Sequence, residues 1–529
     1  MRKEENKLPK LVINGFEMTN KLLIKGSQDW TFPMIEEVYE ILERIAKDKY
    51  QLDVYPNQIE IISAEQMIDA YTSGAMPVYY NHWSFGEEFV RTYNSYKHGN
   101  SGLAYEVVIN TNPAIAFLME ENTMLCQALV IAHACFGHNT FFKSNYLMKQ
   151  WTDPTSIINY LVFAKKYIAE CEEKYGTEEV EFILDAAHSL KWYGIDRYKR
   201  PAKKTKEEMI KKRKTREAYE QSQVNELFST IPKNKEEQKD ADDWFMEFLS
   251  DQQLPEEPEE NILYFIEKHA PKLATWQREI IRIVRKISQY FYPNIQTNLC
   301  NEGAATFWHY KLIHDLEEEG VLDEGAMLEF YTLHTGVVRQ QDQASFNVYA
   351  LGHAMYKDIE RVAMNPTEED RRWFGEQEWV GSGDWLSAIK FAMCNFKNDS
   401  FIQQFLSPKV MRDFNMFSYH NDAAKEHYEI TAIQDERGYR EIRENLAKRY
   451  NISSFMPEIQ IMDVDIWDTR RLVLQHNTFD GRLLDEETAA SVIRNIEFLW
   501  GYDVSLHSVD GKGDVMDAVA HSFELSGLG

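Results

Sequence analysis

The sequence predicts a predominantly helical α+β protein: a large helical body with a small α+β domain at its C-terminus. Three observations predict it. Apolar residues recur at helical spacing through most of 28–198 and again through 262–410. A highly charged stretch, 199–261, separates these two blocks. After about residue 411 the apolar pattern moves toward period two, with helical segments interposed. The expected organisation is therefore 1–198, a charged helical arm or linker at 199–261, 262–410, and 411–529. At 529 residues, of which 44% are hydrophobic, the chain can bury sizeable cores.

Taken in order, 28–50 reads as a helix with Ile35, Val38, Tyr39, Ile41, Leu42 and Ile45 on one face, and Ser27 or Asp29 as its cap. LDVYPNQIEIISA is a strand and turn, and the helix after it closes at Gly74 and Pro77. YEVVINTN, 105–112, is a strand ending in the Asn112-Pro113 turn. From about 114 to 193 the pattern is helical, its opening stretch included, with Asp153 as a cap and Pro154 at a first helical position. The arm holds a basic run at 203–216, which a solvated helix face explains without a partner. Helices resume at ILYFIEKHAP, continue to a stop at Pro293, restart at Asn301, and recur in AMLEFYTLHTGVV and ALGHAMYKDIERVA. FNMFSYH, HYEITAIQD, EIQIMDVDIW, RLVLQH and YDVSLHSV read as strands, with helices at RGYREIRENLAKRY and about 485–500. No internal repeat is visible.

Charge and cysteine usage narrow the function. Lys and Arg number 58 against 85 Asp and Glu, a formal charge of −27, a field that repels nucleic acid and anionic lipid. The five cysteines include no CxxC pair, as expected of reduced thiols in a cytoplasmic protein. The opening MRKEENKLPKLVING lacks the apolar core of a signal peptide. No run approaches the roughly 18 apolar residues of a membrane span.

Two short motifs carry the candidate chemistry. Asn301-Glu302-Gly303-Ala304-Ala305 opens an expected helix, with Asn301 as N-cap, Glu302 near the positive helix end and Gly303 leaving room beside the carboxylate. N-E-G-x-A is similar to the helix that supplies the glutamate ligand in gluzincin metallopeptidases. The second motif, His133-Ala-Cys-Phe-Gly-His138, closes an apolar segment. In HExxH the histidines lie four apart and meet one metal from one helix face. Here they lie five apart, which leaves them roughly 140° apart on a regular helix. A bulge, or a helix end at Gly137, repairs the angle. No glutamate follows His133, so a general base comes from elsewhere: Glu120 and Glu121 are candidates, with Glu121 preferred for its nearness. The plain alternative is a packed His133 and a helix-ending His138.

His82, Asn139, His309, His334 and Tyr349 are further cleft candidates, each polar in apolar company; Glu87, Glu88, Asn347 and Gly352 accompany them. About 10 Å of rise separates His309 from Glu302 on a straight helix, which keeps it from sharing a metal. Cys135 beside two histidines is a conceivable thiolate nucleophile, although a buried small cysteine is commoner. There is no G-x-x-x-x-G-K-[ST], G-x-G-x-x-G or G-x-S-x-G.

HWSFG, YEVVINTNPAIAFLMEENT, QALVIAHACFGHNTFFKSNYL, YGIDRYKRP, PEEPEENILYFIEKHAP, WQREIIRIVRKISQYFYP, NEGAATFWHY and FLSPKVMRDF together resemble the SpoVR family, stage V sporulation protein R. The resemblance covers nearly the whole chain. In NVYALG, Val348 stands where the family has proline. The resemblance implies a link to the spore cortex, a peptidoglycan layer, or to stress responses. It also implies company with a serine protein kinase and a von Willebrand-like protein. Two readings stay open. One is a hydrolase in which His133, His138 and Glu302 hold a divalent metal, zinc by preference, for attack on an amide bond. The other is a non-catalytic scaffold or regulatory partner of the kinase.

Overall fold

The computed structural model describes residues 12–13, 16–17, 22–72, 76, 78–97, 106–197, 259–340, 346–420, 429–464 and 469–521. The expected arm lies outside the described residues up to residue 258, its basic run at 203–216 included. The fold is α+β and predominantly helical, as the patterning predicts. Its packing resolves two units that interleave in sequence: Met1–Thr177 with Gln289–Met456, and Glu178–Ser288 with Pro457–Gly529.

In the first unit a three-stranded sheet runs in the order Asn57–Ile62, Ala114–Met119, Glu106–Ile109. The middle strand is parallel to the first and antiparallel to the third, with Glu106 opposite Leu118. The two outer strands match the sequence expectation. The middle one corrects it: 114–119 was expected to be helical. AIAFLM alternates buried and half-buried residues, the period-two pattern of a strand paired on both edges. A short apolar run does not separate strand from helix by composition.

The helix Met124–Ile131 follows, capped by Thr123, whose hydroxyl accepts from the Cys126 amide. Every residue in it is buried, as an apolar-all-round helix requires. It passes without a break into a π-helical segment, Ala132–His138, and then into Asn139–Ser144.

The second correction concerns the motif around Glu302. Two helices were expected, one ended by Pro293 and one opened by Asn301. The structure has a single helix, Thr275–Glu318, with Pro293 inside it. Proline removes one backbone donor and costs about 3 kcal/mol in a helix interior. Burial of Leu299, Cys300, Ala304, Phe307 and Trp308 beyond that point offsets it. Asn301 is therefore no N-cap, and Glu302 is far from any helix start.

Glycines set how closely the helices approach. A Cβ on Gly137 would lie 2.6 Å from the Ala305 Cα, and one on Gly303 would lie 2.5 Å from the Gly352 Cα. Gly137 thus serves a helix crossing and does not end its helix; Gly303 likewise serves a crossing with Val348–Met364. Backbones in contact at these points bring the side chains next in sequence, His138 and Glu302, together.

The second unit carries a four-stranded sheet in the order Val515–His521, Val504–Val509, Leu472–Asn477, Glu458–Val464. Its inner strands are parallel, with the helix Glu486–Trp500 between them in sequence. The last strand was not anticipated. Buried Glu267 in this unit is held by Arg285, Arg282 and Lys268. Residues 411–456, expected to open the C-terminal domain, pack with the first unit. Among the described residues no helix is long and apolar enough to cross a membrane.

Candidate metal centre

His133 and His138 are both buried and both lie within the π-helical segment. A π turn hydrogen-bonds residues five apart, so the wider turn brings the two imidazoles to one side. Their ring centroids are 4.6 Å apart at 87°. The bulge expected from the spacing is present, and the helix end at Gly137 is not.

Glu302 approaches from the long helix. Its Oε2 lies 3.4 Å from His138 Nε2 and 3.6 Å from His133 Nε2. Glu106, from the edge strand, places Oε1 3.3 Å from His133 Nε2. Ligand atoms of Glu106, His133 and His138 all lie within 4.8 Å of one another, an arrangement able to hold a metal ion. The Oε2 atoms of both glutamates are buried without a hydrogen-bond partner among the described residues. Buried carboxylate oxygens are costly unless paired. Glu302 Oε2 and Glu106 Oε1, turned toward imidazole nitrogens, fit a divalent cation, with His/His/carboxylate as a recurrent donor set.

The charges respond to this crowding. Burial alone would raise the Glu302 carboxyl. The His138 charge and contacts with both imidazoles outweigh it and hold the group far below the usual carboxylate range. Burial likewise pulls His138 down, but Glu302, with help from Glu106 and Asn301, carries it up to about 9. Glu106 goes the other way: burial raises it, Glu302 adds to the rise, and the two histidines only partly offset it. Two carboxylates in one site are thus driven apart in proton affinity.

A second layer orients the imidazoles. His138 Nδ1 donates to Asn301 Oδ1 at 2.9 Å, which leaves Nε2 facing the cluster. Asn301 thus orients His138 where a helix cap was expected. His133 Nδ1 meets His309 Nδ1 at 2.8 Å, and His309 Nε2 meets His334 Nδ1 at 2.9 Å. The Tyr349 ring stacks on His133 at 6.3 Å. Asn347 caps the helix that carries Tyr349, accepting from its amide and donating to Val337 and Arg339 carbonyls.

The remaining candidates fall elsewhere. Asn139 clamps the sheet, bonding the Tyr55 backbone and the Asn57 side chain. His82 bonds Ser84 at the start of Trp83–Lys97, among aromatic neighbours. Glu88 pairs with Arg91 on the surface. Glu120 and Glu121 are exposed, in the turn after the middle strand, whereas the cluster is buried. Burial raises the Cys135 thiol well above its ordinary value, which opposes a thiolate role.

Glu106 and His353 escaped the sequence reading. The signal for Glu106 was a lone acid in an otherwise apolar strand, EVVI. For His353 it was adjacency to Gly352, the helix-crossing glycine.

The chain matches two family models, "SpoVR like protein" over residues 29–455 and "SpoVR-like C-terminal domain" over 457–511. It is 51% identical over 497 residues to "Uncharacterized protein YcgB" of Escherichia coli (strain K12), covering 93% of this chain and 95% of that protein. No solved structure matches.

Proposed function

The chain belongs to the SpoVR family, and we propose that it is a divalent-metal-dependent hydrolase of amide bonds, with His133, His138 and Glu302 as ligands. The observation that carries this reading is a pair of buried imidazoles faced by Glu302 Oε2, which has no hydrogen-bond partner among the described residues, and by Glu106 Oε1. A cation bound there, zinc by preference, would supply Lewis acidity that lowers the pKa of water toward neutrality and polarises an amide carbonyl.

The chain's own groups divide the remaining work. Glu302 stays ionised and neutralises part of the cation's charge. Asn301 fixes the tautomer of His138. Glu106 lies beside the two imidazoles, with Oε1 3.3 Å from His133 Nε2, and its raised proton affinity suits taking a proton and returning it. We assign proton transfer to Glu106 in preference to exposed Glu121. The substrate class is a peptide or a cell-wall precursor, in line with the cortex link that the family resemblance implies. A role beside a serine protein kinase and a von Willebrand-like protein rests on that resemblance alone and is compatible with this chemistry.

The test is hydrolysis of peptide and muropeptide amides by zinc-loaded protein, with E106Q as the variant. General-base removal costs about 10²–10⁴-fold in rate. The reading predicts that loss with zinc still bound. A wild-type protein inert toward every amide, or an E106Q variant as active as wild type, contradicts it.

A further inference from the structure

The cluster is continued inward by a chain of histidines. His133 Nδ1 to His309 Nδ1 is 2.8 Å, and His309 Nε2 to His334 Nδ1 is 2.9 Å. His309 is 2% exposed and His334 6%, so water does not compete for these contacts. The next imidazole, His353, lies against His334 with centroids 5.1 Å apart, and its buried Nδ1 has no hydrogen-bond partner among the described residues.

A neutral imidazole has one N–H donor and one lone-pair acceptor. Two nitrogens at 2.8 Å need one of each. A cation that takes the lone pair of His133 Nε2 obliges Nδ1 to carry the hydrogen. His309 Nδ1 must then accept, its Nε2 must donate, and His334 Nδ1 must accept. The order of donors along the chain is thereby fixed from the metal end. The usual outer partner of a ligating histidine is a carboxylate, a backbone carbonyl or water. Here both ligand imidazoles have uncharged side-chain partners, Asn301 and His309. Negative charge at the centre therefore comes from Glu302, with Glu106 beside it, and not from these outer partners.

Resting on the metal-centre reading above, we infer that His309 is a positioning residue for that centre. It accepts from His133 and holds its ring and tautomer for ligation, and His334 holds His309 in turn. The long helix therefore supplies one ligand, Glu302, and the group that orients another.

Titration of full-length protein with Co2+, followed by visible absorption, tests this. H309N can turn its amide oxygen to the position of the lost Nδ1, whereas H309L offers no acceptor. The expected result is about 10–100-fold weaker Co2+ binding by H309L with an altered absorption band, and binding close to wild type by H309N. H309L binding Co2+ as tightly as wild type, with an unchanged band, overturns the inference and leaves the metal centre standing. Should H309L fail to fold, H334L carries the test, since it strips the acceptor from His309 Nε2: weakened binding is expected and unchanged binding overturns the inference. Wild-type protein that binds no Co2+ overturns the metal centre and this inference with it.

Discussion

His133 and His138, five residues apart, present their rings 4.6 Å from each other because the segment between them is wound as a π turn. A π turn amounts to one extra residue in an α-helix. Deleting one residue between the histidines, such as Ala134, restores the four-residue spacing of a regular helix. Cation binding should survive that deletion. Deleting Ala134, Cys135 and Phe136 leaves the histidines two apart, about 160° from each other on a regular helix, and should abolish binding. Isothermal titration with Zn2+ on the two variants distinguishes the outcomes, and equal loss in both would refute the π-turn explanation.

The glycine crossings predict a stability contrast. G137A places a methyl 2.6 Å from the Ala305 Cα and should destabilise the fold by about 1–3 kcal/mol or more. Exposed Gly86, in the helix Trp83–Lys97, has nothing within 4 Å of its would-be Cβ. G86A should be neutral or stabilising by up to about 1 kcal/mol. Urea denaturation of both variants checks this.

The metal-free protein should lose stability with rising pH across the site. His138 is raised to about 9, so its stabilising contribution is complete below its ordinary pKa of about 6.5 and disappears as pH climbs through 9. One proton linked in this way gives a slope of up to about 1.4 kcal/mol per pH unit. Urea midpoints from pH 6.5 to 9 should show it in wild type and lose it in H138N. Zinc must displace the same proton, so binding near pH 7.5 should release about one proton from His138, read as a buffer-dependent heat. A binding heat independent of the buffer would contradict the imidazolium–carboxylate pair.

Much of this was legible in the sequence. The strands Asn57–Ile62 and Glu106–Ile109 declare themselves by β-branched residues beside turn signals. The joint presence of HACFGH and NEGAA marked three of the cluster's four residues, and the five-residue spacing itself demanded a bulge. What stayed hidden depends on tertiary packing. Pro293 and Asn301 look like a stop and a start, but burial along the long helix overrides both signals. Glu106 lies on a strand, 27 positions before His133, and no local pattern joins them; only the sheet order and the helix crossing do. His309 looked too far along its helix to share a metal with Glu302, yet it meets the opposite nitrogen of His133 and never needs to reach Glu302's side.

The most direct measurement is the zinc content and affinity of untagged wild-type protein beside H133A, H138A and E302A, each shown to be folded. The account predicts close to one divalent ion per wild-type chain and at least about a tenfold loss of affinity in every variant. Wild-type protein without stoichiometric metal, or variants that retain it undiminished, would contradict the account at its centre.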